Sequence, residues 1–141
     1  IGIIVASVTI LLGIHHFKQD KIKVVKVKHE NGIDKEVWVY KRSIFGKEKK
    51  IKEMTFFSNG NKESEVEYKR GKVNGWARMW YKNGKLHVEA TYKNSKTHGV
   101  RNAYHENGQV FCRAKYKMGK IISKRNWDEE GNEIYLPIDR E

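Results

Sequence analysis

YKNGKLHVEATY, residues Tyr81–Tyr92, returns twenty-four positions later as HENGQVFCRAKY, residues His105–Tyr116. Asn-Gly, an alternating run and a closing Tyr recur in step. A fixed period of this length is the signature of a stacked array. Aligning the chain on this phrase extends the pattern outward. Asn-Gly falls at Asn31-Gly32, Asn59-Gly60, Asn83-Gly84 and Asn107-Gly108, with Glu130-Gly131 as a degenerate fifth. Eight residues after the first four glycines stand Tyr40, Tyr68, Tyr92 and Tyr116. A second turn follows at Gly71-Lys72, Ser95-Lys96 and Gly119-Lys120, with Gly46-Lys47 as a looser match, and then a small residue at Gly75, Gly99 and Ser123. Each unit closes on a large aromatic: Phe56, Trp80, Tyr104 and Trp127.

Asn-Gly favours a type I′ hairpin turn, in which both central residues need φ > 0. In the third unit Leu86, Val88, Ala90 and Tyr92 take one side of an alternating run and Lys85, His87, Glu89 and Thr91 the other. In the fourth, Val110, Cys112, Ala114 and Tyr116 form the apolar side. Period two is the pattern of a strand with one face covered. A second strand, over 75–82 or 99–106, then returns to the next Asn-Gly. The expected fold is all-β: an elongated single-layer antiparallel sheet of stacked hairpins over residues 29–136, with a tail at 137–141. Equivalent residues then stand about 9–10 Å apart, two strands along. The tyrosines form one column and the closing aromatics another, each hairpin shielding the next. Glu65, Glu89 and Arg113 form a charged column on the wet face, where Glu89 and Arg113 can pair diagonally.

The phrase Trp80-Tyr81-x-Asn83-Gly84-Lys85-Leu86, the tyrosine six residues on, then Gly99 and Tyr104, resembles the MORN repeat in its bacterial variant form. The resemblance covers roughly residues 28–134, four to five units. Ser95 and Ser123 depart from it where glycine is expected, and the first unit is stretched around Ser43 to Lys50. The resemblance implies an elongated sheet of hairpins, no shared catalytic residues, and a role as a membrane-associated scaffold or protein-binding module. Some members are proposed to bind acidic lipids, and some bacterial relatives carry an antitoxin label.

Ahead of the array, residues 1–14 read IGIIVASVTILLGI and carry no charge; His15, His16 and Phe17 extend the uncharged run. A span needs about 20 apolar residues. The chain starts at Ile1 without Met, so residues 1–17 are read as a transmembrane helix completed by upstream residues. Gly2 and Ala6 offer another helix a close approach. A basic segment, 18–28, follows with Lys18, Lys21, Lys23, Lys26 and Lys28, candidate contacts for an anionic membrane surface. By the positive-inside rule it places the soluble domain in the cytoplasm; a basic flank upstream would reverse that to the periplasm.

The chain of 141 residues carries 29 Lys plus Arg against 17 Asp plus Glu, a net +12. Such a balance favours anionic partners or simply keeps the surface solvated. Basic residues interleaved with rings are also a nucleic-acid pattern, but repeat registry accounts for the rings as columns. One cysteine, Cys112, excludes an intrachain disulfide. It falls on the apolar side and reads as a packed thiol. The six histidines show no zinc spacing, so no metal or other cofactor is expected. Glu63, Glu65 and Glu67 alternate along one strand without a suggested cleft, and the glycines stand at hairpin turns rather than before a helix. No catalytic set emerges. The expected partners are other membrane protein subunits, with an anionic lipid surface as the alternative.

Overall fold

The computed structural model describes residues 21–43 and 45–135. The anchor expected at 1–17, Lys18 and the tail 137–141 lie outside the described residues. The described chain forms one open antiparallel sheet and no helix. Its ten strands are β1 (Lys21–Lys28), β2 (Asp34–Arg42), β3 (Glu48–Phe56), β4 (Lys62–Lys69), β5 (Lys72–Trp80), β6 (Leu86–Lys93), β7 (Lys96–Tyr104), β8 (Val110–Lys117), β9 (Lys120–Trp127) and β10 (Glu133–Ile134). They pair strictly in chain order, each with the next. The returning strands begin three residues earlier than expected, because the second turn is tighter than the sequence suggested.

The two edges use different turns, and the assignment is the reverse of the expectation. At the Asn-Gly edge only the glycines have positive φ: Gly32 84°, Gly60 88°, Gly84 86°, Gly108 98° and Gly131 87°. Gly84 N–H donates to Tyr81 O at 2.9 Å and Tyr81 N–H to Lys85 O at 2.8 Å. That is a type I turn with glycine in the bulge, a three-residue loop. The type I′ turns lie at the opposite edge, where both central residues are left-handed: Arg70-Gly71 (54°, 76°), Asn94-Ser95 (51°, 64°) and Met118-Gly119 (51°, 87°). The stretched first unit instead turns there by the bulged form, Gly46 N–H donating to Ser43 O at 2.9 Å.

Directly opposed residues share a face, so the register separates the two sides of the sheet. One row runs Trp38, Glu53, Val66, Ala77, Ala90, Arg101, Ala114 and Lys124; its neighbour includes Met79, Val88, Ala103, Cys112 and Asn126. Tyr68, Tyr92 and Tyr116 belong to this first face. Trp76, Arg78, Glu89, Asn102 and Arg113 lie on the second, with Trp80, Tyr104 and Trp127. The two aromatic columns therefore stand on opposite faces.

Among the described residues no second layer covers either face, yet Ala90, Ala103, Cys112 and Ala114 are only 1–4% exposed. They are small, and Val88 and Tyr116 pack against Ala103, Cys112 and Ala114. The core is thus a floor of small side chains closed by larger neighbours on the same face. Cys112 sits in it as the packed thiol expected. The column rings do not bury one another. Aromatic pairs interact at about 4.5–7 Å between centroids, and a two-strand step is wider. Cations from the intervening strands fill the gaps: Lys50 over Tyr68 at 4.2 Å, Lys62 over Trp80 at 5.0 Å and Arg113 over Trp127 at 5.9 Å.

Candidate binding surfaces

Three surfaces are presented by this scaffold: the second face and the two turn edges. On the second face, carboxylates are shared between strands rather than gathered into a site. Glu65 accepts from Lys52 at 2.8 Å and from Lys62 at 2.5 Å. Burial pushes its carboxyl up, but the two ammonium groups together hold it below the ordinary value. Glu89 accepts from Arg78 at 3.5 Å, Asn102 at 3.1 Å and Tyr104 Oη at 3.1 Å. Burial, with Glu89 beside it, raises the Tyr104 phenol above its usual value. The diagonal pair expected between Glu89 and Arg113 does not form; Arg113 lies over Trp127 instead. On the first face, Lys50 bonds Glu53 at 2.7 Å and holds it low. Among the described residues, no three His, Cys, Asp or Glu side chains stand together to hold a metal ion.

The Asn-Gly edge is closed by side-chain staples from one unit to the next. Asn31 Nδ2 donates to Ser58 O at 2.8 Å, Asn59 Nδ2 to Lys82 O at 3.0 Å and Asn107 Nδ2 to Glu129 O at 3.0 Å. The same asparagines accept at Oδ1 from the N–H two residues on, at Ile33, Asn61 and Gln109. A second rung is made by the residue that opens three of these loops. Tyr81 Oη donates to Tyr104 O at 2.7 Å, while His29 Nε2 and His105 Nε2 meet Phe56 O at 2.8 Å and Trp127 O at 3.0 Å. A carbonyl only accepts, so both histidines carry their proton on Nε2. The sequence showed only that the histidines lack zinc spacing.

The opposite edge is cationic. Its type I′ turns are flanked by directly opposed lysines: Lys69 and Lys72, Lys93 and Lys96, Lys117 and Lys120. The β2–β3 hairpin adds Lys41 opposite Lys49. A shallow cleft of about 240 Å³ there is lined by Lys41, Lys47, Lys49, Lys50, Lys69 and Arg70, with Ile51 and Tyr68, and no acidic residue. The next cleft along, about 510 Å³, shares Lys69 and Arg70 and reaches Lys93 and His98, again without an acid. Opposed like charges weaken a strand pair. Their recurrence at one edge is not explained by the stability of the sheet.

The basic segment behaves differently. Lys23 is held by Glu48 at 2.9 Å and Lys26 by Asp34 at 2.6 Å, while Lys28 is exposed. Lys23 also sits 6.0 Å from the Tyr40 ring. Lys23 and Lys26 are thus paired within the first hairpins.

Residues 74–94 and 97–118 match the family model described as MORN repeat variant. These segments are MORN repeats. No curated protein and no solved structure matches the chain. Each matched stretch begins in the small-residue bulge of one returning strand and runs through the Asn-Gly loop to the next type I′ turn. Antiparallel hairpin pairing continues outside the matched stretches, through β1–β4 and β9–β10. MORN repeats are in general binding repeats for proteins or lipids rather than catalytic units.

Proposed function

We propose that this MORN-repeat chain is a membrane-tethered binding module, a scaffold or accessory subunit of a membrane protein complex. Residues 1–17 would supply the tether, and the lysine-rich segment after them favours a cytoplasmic location for the sheet. The observation that supports the reading is the uncovered sheet. The polar side chains of its Asn-Gly edge are spent on rungs between neighbouring units, while among the described residues nothing covers its two broad faces or its charged edge. Tethering raises the effective concentration of such a surface beside membrane partners. Crosslinking of the intact membrane with a lysine-reactive reagent, read by mass spectrometry, tests it. The expected result is one recurrent membrane protein linked to lysines of the sheet. A chain that fractionates away from membranes and links to no recurrent partner overturns it.

The cationic edge favours a second reading, an anionic headgroup surface as the ligand. Residues 18–141 should then float with vesicles containing phosphatidylserine and not with neutral vesicles. Lys93→Glu combined with Lys117→Glu should abolish flotation, as should high salt. Flotation that ignores lipid charge removes this reading and leaves the protein scaffold.

A further inference from the structure

The two ends of the sheet are not equivalent. β1 is an edge strand, but carboxylates from within the chain meet its Lys23 and Lys26. At the other end, β10 covers only the last two positions of β9, with Glu133 opposite Trp127 and Ile134 opposite Asn126. From Lys120 to Arg125 the outer backbone of β9 has no ladder partner among the described residues. A row of unpaired N–H and C=O groups is a template for another strand.

Several observations say what kind of strand. The terminal hairpin, residues 110–127, carries Arg113, Lys115, Lys117, Lys120, Lys124 and Arg125 and no Asp or Glu. That excess disfavours a second copy of this chain. Its β1 would bring further lysines to the edge, and its β9 the same cations again. Beside the open backbone, Ile121 and Ile122 are 36% and 63% exposed, large apolar side chains left in water. The edge also shows how it receives a carboxylate. Arg125 holds Glu133 of the short neighbouring strand by a fork, Nε at 2.8 Å and Nη2 at 2.5 Å, the strongest common form of such a bond. Finally, Asn126 is 3% exposed and its Oδ1 has no donor among the described residues. An acceptor is left unmet where the two-residue strand ends, and unmet buried acceptors are costly.

We propose that the outer edge of β9, from Lys120 to Arg125, takes an extended acidic segment of a partner protein, added to the sheet as an antiparallel strand in line with β10. Backbone bonds supply the seat. Apolar side chains of the incoming strand cover Ile121 on the first face, and its carboxylates, on the other face, meet Lys120; Lys124, on the Ile121 side, adds charge attraction along the same edge. This rests on the reading of the chain as a binding module, but it fails separately. Crosslinks to a partner that avoid β9 sink it and leave that reading intact.

The probe is a capped eight-residue peptide of alternating Glu and Val, with two controls: a Lys-Val peptide, and a Glu-Val peptide with proline at alternate positions. The full chain in detergent is titrated with each, and amide exchange is followed residue by residue. The Glu-Val peptide should bind and slow exchange in 120–125, while neither control does so. Lys120→Glu with Lys124→Glu should weaken binding roughly tenfold, and Lys93→Glu with Lys96→Glu less than about twofold. Equal binding of the proline peptide, or protection spread along the whole cationic edge, would mean charge attraction without strand addition and overturns the proposal. So does absence of binding at millimolar peptide. Binding that appears only after residues 136–141 are deleted assigns the edge to the chain's own end and also overturns it.

Discussion

The Asn-Gly edge and the lysine edge are made by the same hairpins and face opposite demands. At the first, nearly every turn spends its polar side chains on the next unit: an amide to a carbonyl, an imidazole or phenol to another. At the second, the rungs are made largely by backbone. Ser95 N–H donates to Val73 O and Gly119 N–H to Thr97 O, both at 2.8 Å, and side chains of Asn74 and His98 accept from the following turn at 3.4 and 3.3 Å. The lysines flanking these turns are left over. One edge specifies the stacking of the array, and the other is stacked well enough to carry unfavourable charge. Charge retained at a cost to the strand pair points to a partner, and it is at this edge that the functional readings meet.

The largest break in that comparison should come from the bulges that set up the lysine edge. At Gly75, φ is +112° and an added Cβ would lie 3.2 Å from Glu67 Cβ and far closer to its Oε2, the oxygen that accepts from Trp76 N–H at 2.9 Å. Gly75→Ala combines a strained backbone with eviction of that carboxylate. It should cost about 2–4 kcal/mol, read as a lower urea midpoint. Gly71→Ala, with φ +76° and open space around it, should cost no more than about 1–2 kcal/mol. Equal costs would mean that the carboxylate seat contributes nothing. Gly99 has the same arrangement with Thr91 Oγ1, 2.6 Å from an added Cβ. The last unit has lost one residue, and its Ser123 pairs directly with Lys115 at the corresponding place. The serine there marks a narrower bulge, not a strained one.

Next comes the Asn-Gly edge itself. Asn107→Ala removes the bond to Glu129 O and the one from Gln109 N–H, which lies at 2.8 Å. The expected loss is about 1–2 kcal/mol in urea unfolding, with faster amide exchange in β9–β10 before the rest of the sheet. A uniform rise in exchange would show that the staple does not hold one unit to the next.

How much of this was legible in the sequence follows from the same residues. The twenty-four-residue period marked out the hairpins and their order, and the apolar run through Val88, Ala90 and Cys112 marked the covered side. Asn-Gly did not reveal its turn type, because glycine suits a bulged type I loop as well as a type I′ turn, and the choice rests on how the flanking strands pair. The opposite faces of the two columns follow from parity: Trp80 lies seven residues past Val73, the partner of Tyr68. The staples were hidden because each joins side chain to backbone across a full repeat, a contact that no local pattern encodes.

Acid should sharpen the contrast, because amide staples do not titrate and carboxylate links do. Lys50 with Tyr68 keeps Glu53 low, and Lys52 with Lys62 keeps Glu65 low. A carboxyl depressed in the folded state contributes stability above its unfolded value, about 4.3. That contribution fades as pH falls through the folded value. Both pairs are partly exposed, so the effect is about 1 kcal/mol or less. Between pH 6 and pH 3, exchange should rise first in β3 and β4, and Glu53→Gln combined with Glu65→Gln should remove most of that pH dependence. A first rise at the Asn59-Gly60 and Asn83-Gly84 loops, whose staples are amides, would reverse the assignment.

The smallest effect is also the most direct test of what the lysine edge is for. Lys93 and Lys96 stand directly opposite each other beside the Asn94-Ser95 turn. Lys96→Thr relieves the repulsion and adds a residue suited to a strand. It should stabilise the sheet by about 0.2–1 kcal/mol. The same change at Lys72 or Lys120 should do likewise, each roughly additively, since the turns lie about 9–10 Å apart. A set of substitutions that raises stability while weakening capture of the crosslinked partner would show charge kept for binding at the expense of the fold. If the lysines prove neutral for stability, their alkyl stems must cover enough of the neighbouring strands to offset the repulsion. The edge would then need no partner to account for it.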